Sequence, residues 1–193
     1  AEEQSSESVI IRWGNHPGPP YGEWLTYDDG VNWNALGNAT ALTMSWAAKF
    51  APDQLATYPD CAVTHIEGFL NEGDDQVATT IYARVWTGAD AATLLYEEDV
   101  TAQVVWNAFN TFTLATAVPF DNAKELWIGF YGEAAGSSYP AGLSNTAAYN
   151  ANGDLYNNGD GWLHAINLGA GDIIFNISAF VTNQFGGKQA IGG

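Results

Sequence analysis

Carboxylates, histidines, amide-rich turns and large aromatics are the side chains of this sequence that could do chemistry. Its dense acidic clusters are Asp74-Asp75 and Glu97-Glu98-Asp99. A glycosidase needs two carboxyl groups flanking the scissile bond. Neighbouring residues of a strand point to opposite faces, so only Glu97 and Asp99 share one. His16, His65 and His164 stand in unlike contexts, and no Ser sits in a Gly-x-Ser-x-Gly elbow. His-Glu-x-x-His and Gly-Lys-Ser/Thr motifs are missing as well. The expectation is a protein that is not an enzyme and has no catalytic residue.

Two other constellations suit binding. Ca²⁺ takes six to eight oxygens from carboxylates, amide carbonyls and backbone. Asp28 and Asp29 precede a glycine turn, and Asn152, Asp154, Asn157, Asn158 and Asp160 crowd one Gly-rich loop. Asp28, Asp29, Asp154 and Asp160 are therefore candidate ligands of a structural Ca²⁺. The competing reading is an Asx turn at each place, the side chain capping its own backbone. The second constellation lies in residues 132–171, which carry Tyr139, Tyr149, Tyr156 and Trp162 beside Asn157 and Asn158. A sugar ring offers a C–H face to an aromatic ring and hydroxyls to amides. These six residues are the candidate ligand-binding set. The alternative is that Tyr139 and Trp162 pin the loop to the domain. Tyr82 and Trp86, on one face of the strand 79–86, form a rival platform.

Short strands must hold these groups in place. Thr79, Ile81, Ala83 and Val85 alternate with Thr80, Tyr82, Arg84 and Trp86, the period of a half-buried strand. Gly88 and Asp90 supply a turn, and Leu94-Leu95-Tyr96 begins a partner strand. Leu42, Met44, Trp46, Ala48 and Phe50 form an apolar stripe opposite Thr43, Ser45, Ala47 and Lys49. Further strands are predicted over 24–27, 62–70, 104–114, 124–131 and 173–181. Pro52 opens a single predicted helical turn. The 132–171 segment has almost no aliphatic periodicity and is predicted as a long loop. The sum is an all-β antiparallel sandwich of about eight to ten strands. Residues 1–22 read as an extension with a strand at 9–13, residues 23–182 as the sandwich, and 183–193 as a linker.

Composition narrows the partners. Five basic residues against 22 acidic ones give a net charge of −17. Phosphate contacts need Lys and Arg, so nucleic acid is a poor partner, and an anionic membrane repels such a surface. No apolar run reaches the length of a membrane span, so no membrane insertion is expected. Cys61 is the sole cysteine, so no intrachain disulfide forms. Few charges and many amides suit a neutral polysaccharide or a cell-surface protein as partner. The run Val9-Ile10-Ile11-Arg12-Trp13, set apart by Pro17, Pro19 and Pro20, supports an alternative: a structural, self-associating surface or filament subunit built by strand addition.

Several phrases in order carry a resemblance: Tyr27-Asp28-Asp29-Gly30, Ala48-Lys49-Phe50 with Pro52 and Leu55, and Val85-Trp86-Thr87-Gly88 before Leu94-Leu95-Tyr96. Leu126-Trp127-Ile128-Gly129-Phe130, Tyr139-Pro140-Ala141-Gly142 and Ile177-Ser178-Ala179-Phe180-Val181 complete the set. Over about 24–182 the chain resembles the jelly-roll-like β-sandwich modules of secreted bacterial proteins of the type IX secretion system. The resemblance implies a secreted or cell-surface, non-catalytic accessory or adhesin module. It supplies no ligand.

Overall fold

The computed structural model describes residues 22–72, 79–169 and 171–183. The Val9–Trp13 run, Asp74-Asp75 and residues 184–193 lie outside them. The described residues form thirteen strands. In chain order they are β1 (Gly22–Thr26), β2 (Asn34–Asn38), β3 (Leu42–Phe50), β4 (Ala62–Leu70), β5 (Thr79–Thr87), β6 (Thr93–Asp99) and β7 (Ala108–Pro119). Then come β8 (Leu126–Ala134), β9 (Ser138–Ser144), β10 (Leu155–Asn157), β11 (Leu163–His164), β12 (Ile174–Phe175) and β13 (Ile177–Thr182). A single helical turn, α1 (Pro52–Leu55), has Pro at its start, where a missing N–H costs nothing.

All described pairings are antiparallel. One sheet runs β1-β13-β4-β7 and the other β3-β8-β5-β6. Two four-stranded sheets in this order, with every connection except the β5–β6 hairpin crossing between the layers, are a jelly roll. Its last crossing, from β8 to β13, is interrupted by an insertion. Within that insertion β10 and β11 extend the second sheet past β3, while β9 and β12 join the first. Leu70 pairs with Ala108 on one side and with Ala141 on the other, so β9 continues the line of β13. Asn176 splices the two: its N–H donates to Gly142 O and its carbonyl accepts from Phe69 N–H.

The two sheets enclose the core. Leu42, Met44, Trp46, Ala48 and Phe50 of β3 are all buried, as the stripe requires, and Ile81, Ala83 and Val85 of β5 join them. Phe130 of β8 links the layers, with ring centroids 5.7 Å from Trp46 and 5.9 Å from Phe112 of β7. Gly68 of β4 leaves the room for it; a Cβ there would stand 2.5 Å from the Phe130 ring.

Two expectations change. The 132–171 segment is not a loop without strands, because it contains β9, β10 and β11. Most of β9 is buried on both faces, so its sequence cannot alternate. Pro140 inside it sits where the β2 pairing slips, between Leu36 and Asn38, a place where a strand tolerates proline. The β6 run also fails to enter the core: Leu94 and Leu95 remain 48% and 38% exposed. This is the outermost strand of its sheet, and only Tyr96 of the apolar trio packs against the core.

Gly68→Ala should lower unfolding stability by roughly 1–3 kcal/mol, because a packed interior absorbs an extra methyl only by displacing Phe130. Urea unfolding followed by tryptophan fluorescence measures it; an unchanged midpoint would mean that the Phe130 ring has room to move.

Candidate functional site: an aromatic cleft on the second sheet

The outward residues of the second sheet follow from its register. Tyr82 of β5 pairs with Tyr131 of β8, and Trp86 with Trp127. Ser45 of β3 pairs with Tyr131, and Lys49 with Trp127. Asn157 of β10 pairs with Ser45. These side chains leave the core side of the sheet and line its outer surface, together with Arg84.

The hairpin from β10 to β11 folds over this surface. Its tip contains Gly159 and Gly161, at φ 113° and 94°, backbone angles that favour glycine. Asn157 Oδ1 accepts the Gly159 amide at 2.8 Å and sets the turn. The hairpin delivers Trp162, whose ring lies 4.9 Å from Trp127 and 5.7 Å from Trp86, edge-on to the latter. Trp86, Trp127, Ala47 and Leu155 form a small apolar cluster beneath it. Trp127 is anchored: its indole N–H donates to Gly88 O and Glu125 Oε2, both at 3.1 Å. Lys49 stands 5.3 Å above the same ring and pairs with Glu125 at 3.4 Å.

Between this hairpin and the turn at Gly88–Ala92 lies an open cleft of about 490 Å³, lined by Ser45, Arg84, Trp86, Asp90, Asn157 and Trp162 among others. Arg84 does not offer a free charge. Its Nε donates to Glu97 Oε2 at 2.7 Å, and its guanidinium lies 3.9 Å over the Tyr131 ring. Burial, then the hydrogen bond to Glu133, pushes the Tyr131 hydroxyl up to about 12. The telling groups are Ser45 and Trp86, 8% and 6% exposed. Neither the Ser45 hydroxyl nor the Trp86 indole N–H has a hydrogen-bond partner among the described residues, and neither is sealed from solvent. Water satisfies these donors in the free protein, and a ligand that accepts from them can take its place.

The sequence-predicted site residues are dispersed. Trp162 and Asn157 meet in the cleft, joined by Trp86; Tyr82 shares that outer face of β5 beside Tyr131 but does not line the cleft. Tyr156 of β10 points the other way and is buried against the core, 7% exposed. Asn158 lines a separate, smaller depression. Tyr139 lies on β9 in the first sheet. Tyr149 donates its hydroxyl to Asp154 Oδ2 at 3.3 Å. Ser45, Arg84 and Asp90 were not among the candidates. The small side chains at Ser45 and Ala47, opposite the apolar stripe, were the available signal that another segment comes close.

The four candidate Ca²⁺ ligands make local contacts instead of converging. Asp28 Oδ1 accepts the Gly30 amide, and its Oδ2 takes the Thr26 and Ser178 hydroxyls. Asp29 takes the Thr146 and Ser144 hydroxyls and the Val31 amide. Asp154 is fully buried between Tyr149, His164 Nδ1 at 2.7 Å and the Ile166 amide. Asp160 is exposed at the hairpin tip. Among the described residues no three His, Cys, Asp or Glu side chains gather as a metal site. Asp99 of β6 caps the Thr101 amide at 2.9 Å, while its neighbour Glu97 holds Arg84.

No family model matches the chain, and no curated protein does either. Among solved structures, it is similar to a chain titled "Structure of infectious bursal disease virus Gt strain", with TM-score 0.34 and 13% identity over 94% of this chain and 35% of that one. A chain of the Gx strain of the same virus gives TM-score 0.32 and 12% identity over 85% of this chain and 32% of that one. This chain thus spans about a third of those chains. A likeness that low bears no weight, and the jelly-roll assignment rests on strand order alone.

Two predictions follow from these contacts. Trp127→Ala, which empties an anchored and buried site, should cost roughly 3–5 kcal/mol; Trp162→Ala, at a half-buried hairpin tip, should cost clearly less. Paired thermal melts compare them, and equal losses would make Trp162 a core residue. The Thr146 hydroxyl, aided by Ser144 and the Val31 amide, holds the Asp29 carboxyl below the usual aspartate range. A folded-state pKa that is depressed stabilises above the unfolded value, and the benefit is lost as pH falls through the folded one. Asp29→Asn should therefore melt below the parent at neutral pH and converge with it in acid below pH ~3.9. A gap independent of pH, measured by circular dichroism melts, would contradict this.

Proposed function

We propose that this domain is a non-catalytic extracellular binding module that holds a neutral glycan in the cleft between the β10–β11 hairpin and the Gly88–Ala92 turn. One observation carries the reading. Ser45 and Trp86, residues that are mostly buried, line the cleft, and no hydrogen-bond partner among the described residues takes the Ser45 hydroxyl or the Trp86 indole N–H, which remain open to solvent. They stand beside Trp162, with the Asn157 amide and the Asp90 carboxylate on the rim. That combination suits a ligand with an apolar face and hydroxyls around its edge. A simple ion would not need the indole, and an aliphatic ligand would leave both donors unsatisfied.

Charge supports the same choice. The basic side chains near the cleft, Arg84 and Lys49, are already paired with Glu97 and Glu125. An anionic polysaccharide would meet Asp90 and a strongly acidic protein. A neutral sugar meets no such penalty. Within this reading Glu97 and Asp99 serve contacts of their own and not bond cleavage.

Titration calorimetry with soluble neutral oligosaccharides tests this directly. Losing a large aromatic anchor commonly costs at least about 2 kcal/mol, more than tenfold in affinity. Trp162→Ala should weaken binding by that much while the domain stays folded. Binding should persist in high salt, since no ion pair is formed. Binding that collapses with salt, or that ignores Trp162→Ala, would overturn the site. Turnover of an oligosaccharide that disappears in Glu97→Ala would overturn the non-catalytic reading.

A further inference from the structure

The line of aromatic groups on this face continues past the cleft. Trp86, Arg84 and Tyr82 follow one another along β5, each two residues from the next, and so share its outer side. Two such steps set the backbone positions of Trp86 and Tyr82 roughly 13 Å apart. The contacts along that distance are continuous. The Trp162 ring lies 5.7 Å from Trp86, and the Arg84 guanidinium lies 6.0 Å from Trp86 and 3.9 Å from Tyr131. Tyr131 in turn lies 5.9 Å from Tyr82. Strand pairing ties the same groups to the cleft, because Ser45 is paired with Tyr131 and Tyr131 with Tyr82. All stand on one face of the second sheet, with Ser45, Arg84, Trp86 and Trp162 lining the cleft and the two tyrosines beside it.

The chemistry along this line alternates. Trp86 and Trp162 offer apolar rings at one end, and the half-buried Tyr82 and Tyr131 offer them at the other. Arg84 lies between. Glu97 takes its Nε and Nη2, while Nη1 has no hydrogen-bond partner among the described residues. That carboxylate balances the charge, so the Nη1 N–H groups can donate to a hydroxyl without favouring an anion. A ring, a donor and a second ring in sequence match successive sugar residues, with C–H faces on the rings and hydroxyls at the donor. A single sugar in the cleft would leave the Tyr82 end of the line unused. The straight course of the line selects shape as well. A β-1,4-linked chain is an extended ribbon, whereas an α-1,4-linked chain curves away from a straight track.

We infer that the site takes an extended, neutral, β-linked polysaccharide along β5, one residue against Trp162 in the cleft and a later one against Tyr82. This rests on the glycan reading of the cleft. Arg84 meets the hydroxyls of the chain between the two rings.

Three sugars test it by calorimetry: the dimer and the hexamer of β-1,4-linked glucose and the hexamer of α-1,4-linked glucose. The parent chain should bind the β-linked hexamer at least about tenfold more tightly than the dimer, the worth of one added aromatic anchor. The α-linked hexamer should lack that gain. Tyr82→Leu removes the flat ring from an outward position and spares the core, and a melt confirms the fold. This variant should bind the β-linked hexamer nearly as weakly as the dimer. Tyr82→Phe keeps the ring and should keep the preference. Trp162→Ala should weaken dimer and hexamer alike. Equal binding of dimer and hexamer by the parent overturns the extended track and leaves the glycan reading standing. A length preference that survives Tyr82→Leu overturns it too, as does an α-linked hexamer that binds as tightly as the β-linked one. Binding of none of the three sugars overturns the glycan reading and the track with it.

Discussion

The register of β8 against its two neighbours is the constraint on which the rest of the domain depends. β8 is paired along its whole length with β3 on one side and with β5 on the other. In that register Leu126, Ile128 and Phe130 enter the core while Trp127 and Tyr131 face outward. A slip of one residue would send every side chain to the wrong face. Phe130 would then leave Phe112 and Trp46, and the two layers would lose their central contact. Trp127 would enter the core, and the floor beneath Trp162 would disappear. Core and cleft are thus two consequences of one hydrogen-bonding pattern.

What distinguishes this sandwich is the insertion between β8 and β13. It works on both layers at once. β9 extends the line of the first sheet, and β10 adds to the edge of the second beside β3. The hairpin made by β10 and β11 is short, so it gains little from its own pairing. Its position is held from its base: Asp154 receives the Ile166 amide and His164, and the Ala165 amide donates to the Asp154 carbonyl. A hairpin fixed at its base and free at its tip can hold Trp162 over the sheet without burying it. That arrangement leaves space between Trp162 and Asp90 and so produces a cleft instead of a closed wall.

Acidity has two distinct uses in this molecule. Asp28, Asp29, Asp99 and Asp121 accept hydrogen bonds from backbone amides two residues onward and stabilise turns. Glu97 and Glu125 neutralise Arg84 and Lys49 on the outer face of the second sheet. The second use removes free positive charge from the surroundings of the cleft and leaves neutral donors there.

Alternating positions made the jelly-roll strands legible. The stripe from Leu42 to Phe50 and the faces of β5 are where the period of two placed them, because each of those strands has one face on the core. The turn at Gly88 and the helical turn at Pro52 were legible through local backbone chemistry. β9, β10 and β11 were not: β9 is mostly buried on both sides, and β10 and β11 have only three and two residues, too few for a period. The site divides in the same way. Composition marked Trp162 and Asn157 as residues suited to a sugar, and alternation put Tyr82 and Trp86 on one face. Nothing local tells that Trp162 comes to rest on Trp86, or that Tyr156 turns inward while Asn157 turns outward. Those placements arise from pairings between residues more than a hundred positions apart, such as Asn157 with Ser45. Local patterns determined which strands form; the pairing of the insertion with β3, a contact with no signature in either segment alone, decided which side chains meet.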